Sequence, residues 1–239
     1  MNKAFILAGG LGTRLRPAIP DVPKPIAPVA GQPFITYPIR WLRRQGITDI
    51  TLCLGHRASA IMQVLGDGEL LGVRISYSVE SKPLGTGGSL KLALGSHTAP
   101  VIVANGDTYF ELDSTSLLTV HEALGEWVTL ALKKARPGQA GGYVEVGLDG
   151  LIRTFVEKPS KLSSEALISA GVYVFGQKAI SMLPDSSFSL ERDFFPTLAS
   201  AGHLAAYVTE GYFADIGTPE SWQQFERDVL EGKVNAHSK

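Results

Sequence analysis

The sequence predicts an α/β fold built on a mostly parallel sheet with helices on both faces, and three observations lead to it. Short apolar runs alternate with helix-period patterns through the first half of the chain. A glycine-rich loop follows directly on the first of those runs. The 239 residues, 44% of them hydrophobic, can bury one substantial core, and no internal repeat, low-complexity tract or linker divides them.

In chain order, Ala4 to Ala8 reads as a strand that breaks into a loop at Gly9, Gly10 and Gly12. Pro33 to Gln45 reads as a helix stopped by Gly46, with a kink expected at Pro38. Ile50 to Leu54 is a β-rich run, and Ala58 to Leu65 is a helix ending in the turn Gly66-Asp67-Gly68. Val73 to Val79 alternates as a strand, and Ser89 to Leu94 is a short helix opened by Gly87-Gly88. Pro100 to Ala104 is a buried strand that runs into Asn105-Gly106-Asp107.

The second half is less regular. Trp127 to Lys133 reads as a strand, and Arg136 to Gly142 as a glycine-rich loop. Tyr143 to Val146 and Leu151 to Val156 flank Asp149-Gly150, a strong hairpin signal. Ile168 to Phe175 is a further strand and Gln177 to Leu183 a helix. The last helix, Pro219 to Leu230, follows Thr218, a good N-cap.

Charge and cysteine content exclude several classes. The 22 Lys and Arg nearly balance the 23 Asp and Glu without a block of like charge, so no extended nucleic-acid or anionic-membrane surface is expected. Cys53 is the only cysteine and the five histidines are scattered, which leaves no disulfide framework and no zinc site. The opening MNKAFILAGG superficially resembles a signal peptide, but its apolar run is short and Arg14 and Arg16 follow at once. No segment approaches the roughly 20 apolar residues of a membrane span. The expectation is a soluble protein of a reducing compartment, most simply the cytoplasm.

The glycine loop carries the chemistry. Glycines let backbone N–H groups approach a polyphosphate, and Arg14 and Lys24 supply fixed cations to balance its charge. A dinucleotide fingerprint would need a third glycine where Leu15 stands, and no stretch matches a phosphate-loop NTPase. The bland alternative is a tight strand-to-helix turn without a ligand.

The block G-G-x-G-T-R-L-x-P (Gly9, Gly10, Gly12, Thr13, Arg14, Leu15, Pro17) followed by Pro23-Lys24-Pro25 resembles the signature of sugar-1-phosphate nucleotidylyltransferases. Further blocks follow in the family's order: Glu80 with Pro83-Leu84-Gly85-Thr86-Gly87-Gly88, Asn105-Gly106-Asp107, Glu157-Lys158-Pro159, Ala170-Gly171-Val172-Tyr173 and Asp215-Ile216-Gly217-Thr218. The resemblance spans nearly the whole chain. It implies a Rossmann-like, mostly parallel mixed sheet of the nucleotidyltransferase or GT-A-like kind. It also implies a single domain, with a nucleotide-binding half over 1–110 and a sugar-facing lobe over 111–239.

That family joins a sugar 1-phosphate to a nucleotide by direct attack on the α-phosphate, so positioning and charge neutralisation are the protein's whole task. By the resemblance Arg14 holds the triphosphate and the leaving pyrophosphate, Lys24 bridges the reacting phosphates, and Lys158 holds the sugar's phosphate. The nucleotide is expected among Leu7, Ala8, Gly9, Gly10, Gly12, Thr13, Glu80, Leu84, Gly85, Thr86 and Asn105. Glu80 or backbone carbonyls would suit the N–H donors of a guanine. The sugar is expected against Gly142, Glu157, Ala170 and Gly171. Asp107 and Asp215 are implied as ligands of Mg²⁺ shared with substrate phosphates, a donor set that ion favours. A turn or capping aspartate is the alternative for each. His56 and Arg57 receive no role.

The Pro-Leu-Gly-Thr-Gly-Gly block is similar to that of GDP-mannose-type and amino-sugar uridylyl members. Asn105-Gly106-Asp107-Thr108-Tyr109-Phe110 and Phe188-Ser189-Leu190-Glu191-Arg192-Asp193-Phe194-Phe195 are most similar to members that guanylylate a heptose 1-phosphate. The resemblance therefore implies GTP and a heptose 1-phosphate as substrates, with mannose 1-phosphate and uridylyl or thymidylyl transfer as alternatives. A non-catalytic sensor would be expected to lose Arg14, Lys24 or an aspartate, and none is lost. An NAD-dependent oxidoreductase would need an acid where the second strand ends Leu52-Cys53-Leu54-Gly55. A homo-oligomer is left open.

Overall fold

Strand β1 (Lys3–Leu7) is apolar at successive positions because both of its faces are covered: Ala4, Phe5 and Ile6 are fully buried. The computed structural model describes residues 2–124, 127–135, 141–157 and 166–234. Among these residues the remaining strands are β2 (Pro28–Val29), β3 (Gln32–Pro33), β4 (Asp49–Leu54), β5 (Arg74–Val79), β6 (Val101–Asn105) and β7 (Thr108–Phe110). They continue with β8 (Val128–Lys134), β9 (Gly142–Val146), β10 (Ile152–Glu157), β11 (Leu167–Phe175), β12 (Leu204–Val208) and β13 (Phe213–Asp215). The helices are α1 (Thr36–Arg44), α2 (Ala58–Leu65), α3 (Gly85–Leu94), α4 (Ser114–Ala123), α5 (Gln177–Met182), α6 (Phe195–Ser200) and α7 (Pro219–Leu230).

The main sheet has nine strands, in the order β10-β9-β11-β6-β1-β4-β5, with β8 on β11 and β12 on β8. From β6 to β5 every pairing is parallel. At β11 the sheet changes character, because β11 runs antiparallel to β6, β8 and β9. The result is the mixed, helix-flanked sheet expected.

Alternate residues of β1 feed two apolar clusters. Ala4 and Ile6 join Tyr37, Ile39, Ile61 and Phe225 of α1, α2 and α7. Phe5 joins Leu90, Leu94, Ile180 and Leu198 of α3, α5 and α6. The two faces are thus covered by different helices, and the carboxyl ends of the parallel strands stay open for a ligand.

Several boundaries differ from expectation for identifiable reasons. Pro38 produces no break, because α1 begins at Thr36 and Pro38 lies in its first turn, where backbone N–H groups have no partner inside the helix. Helix α3 starts at Gly85 rather than Ser89, so both glycines of the expected opening lie inside it. Helix α4 was not expected. Its apolar residues show no strong stripe, and it is anchored by Asp113, whose carboxylate accepts from Thr115 and Ser116 N–H. Strand β12 and helix α6 were also not expected. Helix α7 matches its expected span, with Thr218 and Ser221 forming a reciprocal cap. Of the expected loop from Arg136 to Gly142, residues 136–140 lie outside the described residues, and Gly142 opens β9. Among the described residues no helix is long and apolar enough to cross a membrane.

Candidate active site

A cavity of about 1090 Å³ opens at the carboxyl ends of β1 and β6. It exceeds the usual volume for one small ligand, roughly 300–1,000 Å³. Among its lining residues are Arg14, Lys24, Asp107 and Asp215, brought together from the first, middle and last parts of the chain.

The loop after β1 turns immediately: Leu15 and Arg16 N–H both donate to the Gly12 carbonyl at 3.1 Å. Pro23 then leads into a single 3₁₀ turn, Lys24–Ile26. Lys24 points inward, 10% exposed at its side chain, and its Nζ donates to Asp107 Oδ2 at 2.6 Å. Asp107 follows Gly106 just past the end of β6, where the Gly106 N–H donates to the Leu7 carbonyl at 2.8 Å. Burial pushes the Asp107 carboxyl up, but the Lys24 ammonium, the Thr108 hydroxyl and the Arg14 charge outweigh it and hold the group below the usual aspartate range.

Asp215 arrives by a separate device. Strand β13 pairs antiparallel with β7, setting Asp215 opposite Thr108 and so beside Asp107. The Ile216 N–H donates to the Asp107 backbone carbonyl at 3.0 Å, closing the ribbon. Asp215 Oδ1 accepts from Gly217 N–H at 2.8 Å. A Cβ built on Gly217 would lie 2.6 Å from that oxygen and 3.3 Å from Arg14 Nη2, so the guanidinium stands next to the second carboxylate.

Two neighbouring carboxylates lining the cavity are a donor set that would suit Mg²⁺. Among the described residues no group of three His, Cys, Asp or Glu could form a protein cage. A cation here would complete its shell with phosphate oxygens and water, as Mg²⁺ does and as a structural zinc does not.

On the parallel side of the cavity, Glu80 lies beyond β5, where its Oε2 accepts from Leu84 N–H at 3.2 Å. Burial raises the Glu80 carboxyl, and the Leu84 N–H opposes this. Leu7, Ala8, Gly9, Gly10, Gly12, Thr13, Gly85, Thr86 and Asn105 line the cavity. Leu84 does not. Its N–H holds Glu80 and its carbonyl accepts from Phe188 N–H at 3.0 Å, so it supports the wall from behind. Asn105 donates through Nδ2 to the Tyr173 hydroxyl at 3.3 Å, while its Oδ1 is buried without a hydrogen bond. Asn105 as a residue lines the cavity, with that unpartnered acceptor buried beneath its surface.

The opposite side is shaped by an irregularity. Along β11 the pairing with β8 jumps from Ser169 opposite Leu132 to Tyr173 opposite Leu130, so the intervening residues bulge. Gly171 in this bulge has φ +71°, and a Cβ there would stand 3.1 Å from Asn105 Nδ2 and 3.2 Å from Thr108 Oγ1. The bulge thus presses Ala170 and Gly171 towards the residues after β6, and only glycine meets both demands at little cost. Gly142 and Glu157 pair at the open end of the β9–β10 hairpin and also line the cavity. Lys158 lies outside the described residues.

Tyr173, Ser189, Glu191 and Arg192 line the cavity as well and had no assigned role. The signal was present, since Tyr173 belongs to the Ala-Gly-Val-Tyr block and the other three to Phe-Ser-Leu-Glu-Arg-Asp-Phe-Phe. In the first block only Ala170 and Gly171 were given a chemical part, and the second was read as resemblance without one.

The nucleotidyl transferase family model matches residues 3–232. The D-glycero-alpha-D-manno-heptose 1-phosphate guanylyltransferase of Campylobacter jejuni is 36% identical, across 93% of this chain and 98% of that protein. The mannose-1-phosphate guanyltransferase of Saccharomyces cerevisiae is also 36% identical, across 97% of this chain but 64% of that longer protein. Among solved structures, HddC from Yersinia pseudotuberculosis complexed with GMP-PN superposes with a TM-score of 0.82 at 32% identity, covering 96% of this chain and 100% of that one. The chain therefore belongs to the nucleotidyl transferase family, and it is an enzyme of that family.

Proposed function

We propose that the protein is a sugar-1-phosphate guanylyltransferase that joins GTP and D-glycero-α-D-manno-heptose 1-phosphate to give GDP-heptose and pyrophosphate. One observation carries the reaction class: Lys24, Arg14 and two carboxylates converge in a cavity large enough for two substrates. Guanylyl transfer is supported by the functions named for the relatives. For heptose the support is the function named for the Campylobacter relative, 36% identical across 93% of this chain, the same identity as the yeast one. Mannose 1-phosphate is the second reading, favoured by that equal identity.

A phosphate oxygen of the sugar attacks the α-phosphorus of GTP. The new P–O bond forms as the bond to the bridging β-phosphate oxygen breaks, and pyrophosphate leaves with its electron pair. Arg14 holds the triphosphate and the departing pyrophosphate, and Lys24 sits between the reacting groups. Lys158, by the family resemblance, holds the sugar's phosphate. Asp107 and Asp215 would hold Mg²⁺, which supplies charge neutralisation to the phosphate oxygens when bound. Lys24, held by Asp107 at 2.6 Å, presents its remaining N–H groups to substrate oxygens. The backbone after β1 and Glu80 face the base, and Glu157 faces the sugar hydroxyls. Such a reaction belongs in the cytoplasm, where nucleoside triphosphates are available.

Pyrophosphate release tests the proposal, measured with Mg²⁺, each of the four common NTPs and a panel of sugar 1-phosphates. Release with GTP and heptose 1-phosphate above mannose 1-phosphate is expected. A mannose preference would replace the sugar assignment, and a UTP or dTTP preference would replace the base.

A further inference from the structure

The segment after α5 rests directly on the start of α3. Phe188 N–H donates to the Leu84 carbonyl at 3.0 Å, and Gly87 N–H donates to the Phe188 carbonyl at 3.1 Å. A Cβ on Gly87 would collide with the Phe188 ring, and one on Gly85 with the Phe188 carbonyl. The glycines of the Pro-Leu-Gly-Thr-Gly-Gly block are therefore a seat for residues 186–191. This seat delivers Glu191 to the cavity.

Glu191 is fixed there by two hydroxyls. Its Oε2 accepts from Thr86 Oγ1 at 2.6 Å and from Ser189 Oγ at 2.9 Å. Thr86 Oγ1 accepts in turn from Leu190 N–H at 2.9 Å, so neither hydroxyl rotates freely. Oε1 takes no hydrogen bond among the described residues. A carboxylate oriented at this entropic cost, with one oxygen left over in a binding cavity, is built to accept from something that enters.

The neighbours say what enters. The described cations of the cavity are Arg14, Lys24 and Arg192, and the first two stand with Asp107 and Asp215. Glu191 instead shares its surroundings with Glu157. Both carboxylates lie near enough to the buried Tyr173 phenol for their charges to add to burial in suppressing its ionisation. The short π-helix carrying Glu191 (Leu190–Phe194) packs on α3 on one side and on β10, the strand of Glu157, on the other. Two carboxylates repel phosphate and accept from neutral O–H donors.

We propose that Glu191 is a specificity-determining residue that accepts hydrogen bonds from hydroxyls of the sugar 1-phosphate, with Thr86 as the positioning residue that aims it. The inference rests on the sugar-1-phosphate reading above. It adds a structural link between the turn beside the base and the group that reads the sugar.

The variant Glu191→Gln tests it, because its amide oxygen can still accept from Thr86 and Ser189 while its NH₂ replaces the acceptor in the cavity. The expected result is a KM for the sugar 1-phosphate raised roughly tenfold or more, with KM for GTP and the thermal midpoint nearly unchanged. Thr86→Val should raise the same KM by a smaller factor, and Thr86→Ser should restore it. A folded Glu191→Gln enzyme with both KM values within about twofold of wild type overturns the proposal. So does a shift that falls on GTP, which would place Glu191 at the ribose or base. Wild-type protein that releases no pyrophosphate with any sugar 1-phosphate contradicts the underlying reading instead. Calorimetric titration with mannose 1-phosphate and with heptose 1-phosphate then decides the role of Glu191 directly, since the variant must bind more weakly.

Discussion

The two sides of the cavity reach their chemistry by different routes. On the parallel side, Leu7 ends β1 and Ala8 to Arg14 follow it, Glu80 follows β5, and Asn105 ends β6 with Gly106 and Asp107 after it. Each group leaves the carboxyl end of a parallel strand in one short loop. On the other side, Gly142 and Glu157 close a hairpin, Gly171 sits in a bulge and Glu191 rides a π-helix seated on α3. Regular secondary structure positions the first set, and departures from it position the second. On the proposed function, anion binding is tied to the fold's plan and sugar recognition to its irregularities.

The largest effect should come from the floor between the two sides. Lys24→Ala and Asp107→Asn each remove one partner of a 2.6 Å ion pair at the proposed reacting phosphates. Each is expected to lower kcat/KM by about 10²–10³, the usual scale for a preorganised electrostatic group, in a pyrophosphate-release assay. A loss below tenfold would detach the pair from catalysis.

Next in size is the bulge. Gly171→Ala places a Cβ 3.1 Å from Asn105 Nδ2 at φ +71°, where an L side chain costs about 1–2 kcal/mol. A lower thermal midpoint is expected, together with a KM increase for the sugar 1-phosphate that exceeds any for GTP. Equal increases in both would break the division between the two sides.

Titration gives a third test. Lys24 holds the Asp107 carboxyl down against the burial that would raise it, so Lys24→Met should move that carboxyl upward in an NMR titration. In the wild-type protein the folded value lies below the unfolded aspartate value near 3.9. The unfolded chain therefore takes up the proton first as pH falls. The stability contributed by Asp107 is present above about pH 4 and lost below it, as pH falls through the folded value. Lys24→Met should flatten that acid-side loss. The smallest effect is a control outside the cavity: Thr218→Ala removes the cap of α7 and should cost about 1 kcal/mol of stability with KM values unchanged.

The same contrast explains what was legible in the sequence. Thr218 before Pro219 marked the start of α7, and Ala58 to Leu65 bounded α2, because caps, turns and periodicity are local signals. The glycine loop and Asp107 were legible because strand, break and cation lie close together in the chain. The roles of Tyr173 and Glu191 were not. Nothing local distinguishes a bulged Ala-Gly-Val-Tyr from a straight strand, and Gly87 reads as a helix opening until Phe188 is seen lying against it. Asp113 as the cap of α4 was missed because its helix mixes Ser, Thr and Val with only a few apolar residues. Leu84 was assigned to the cavity by its motif, whereas its backbone is spent on Glu80 and Phe188.

The central claim is that substrates from the two sides meet over Lys24, Asp107 and Asp215. The most direct measurement is mass spectrometry of the products from GTP, Mg²⁺ and equal concentrations of heptose 1-phosphate and mannose 1-phosphate, with wild-type protein and with Asp215→Asn. The account predicts GDP-heptose in excess of GDP-mannose, one pyrophosphate per nucleotide sugar, and loss of both products in the variant. Undiminished product from a folded Asp215→Asn enzyme, or no nucleotide sugar from the wild type, would contradict it.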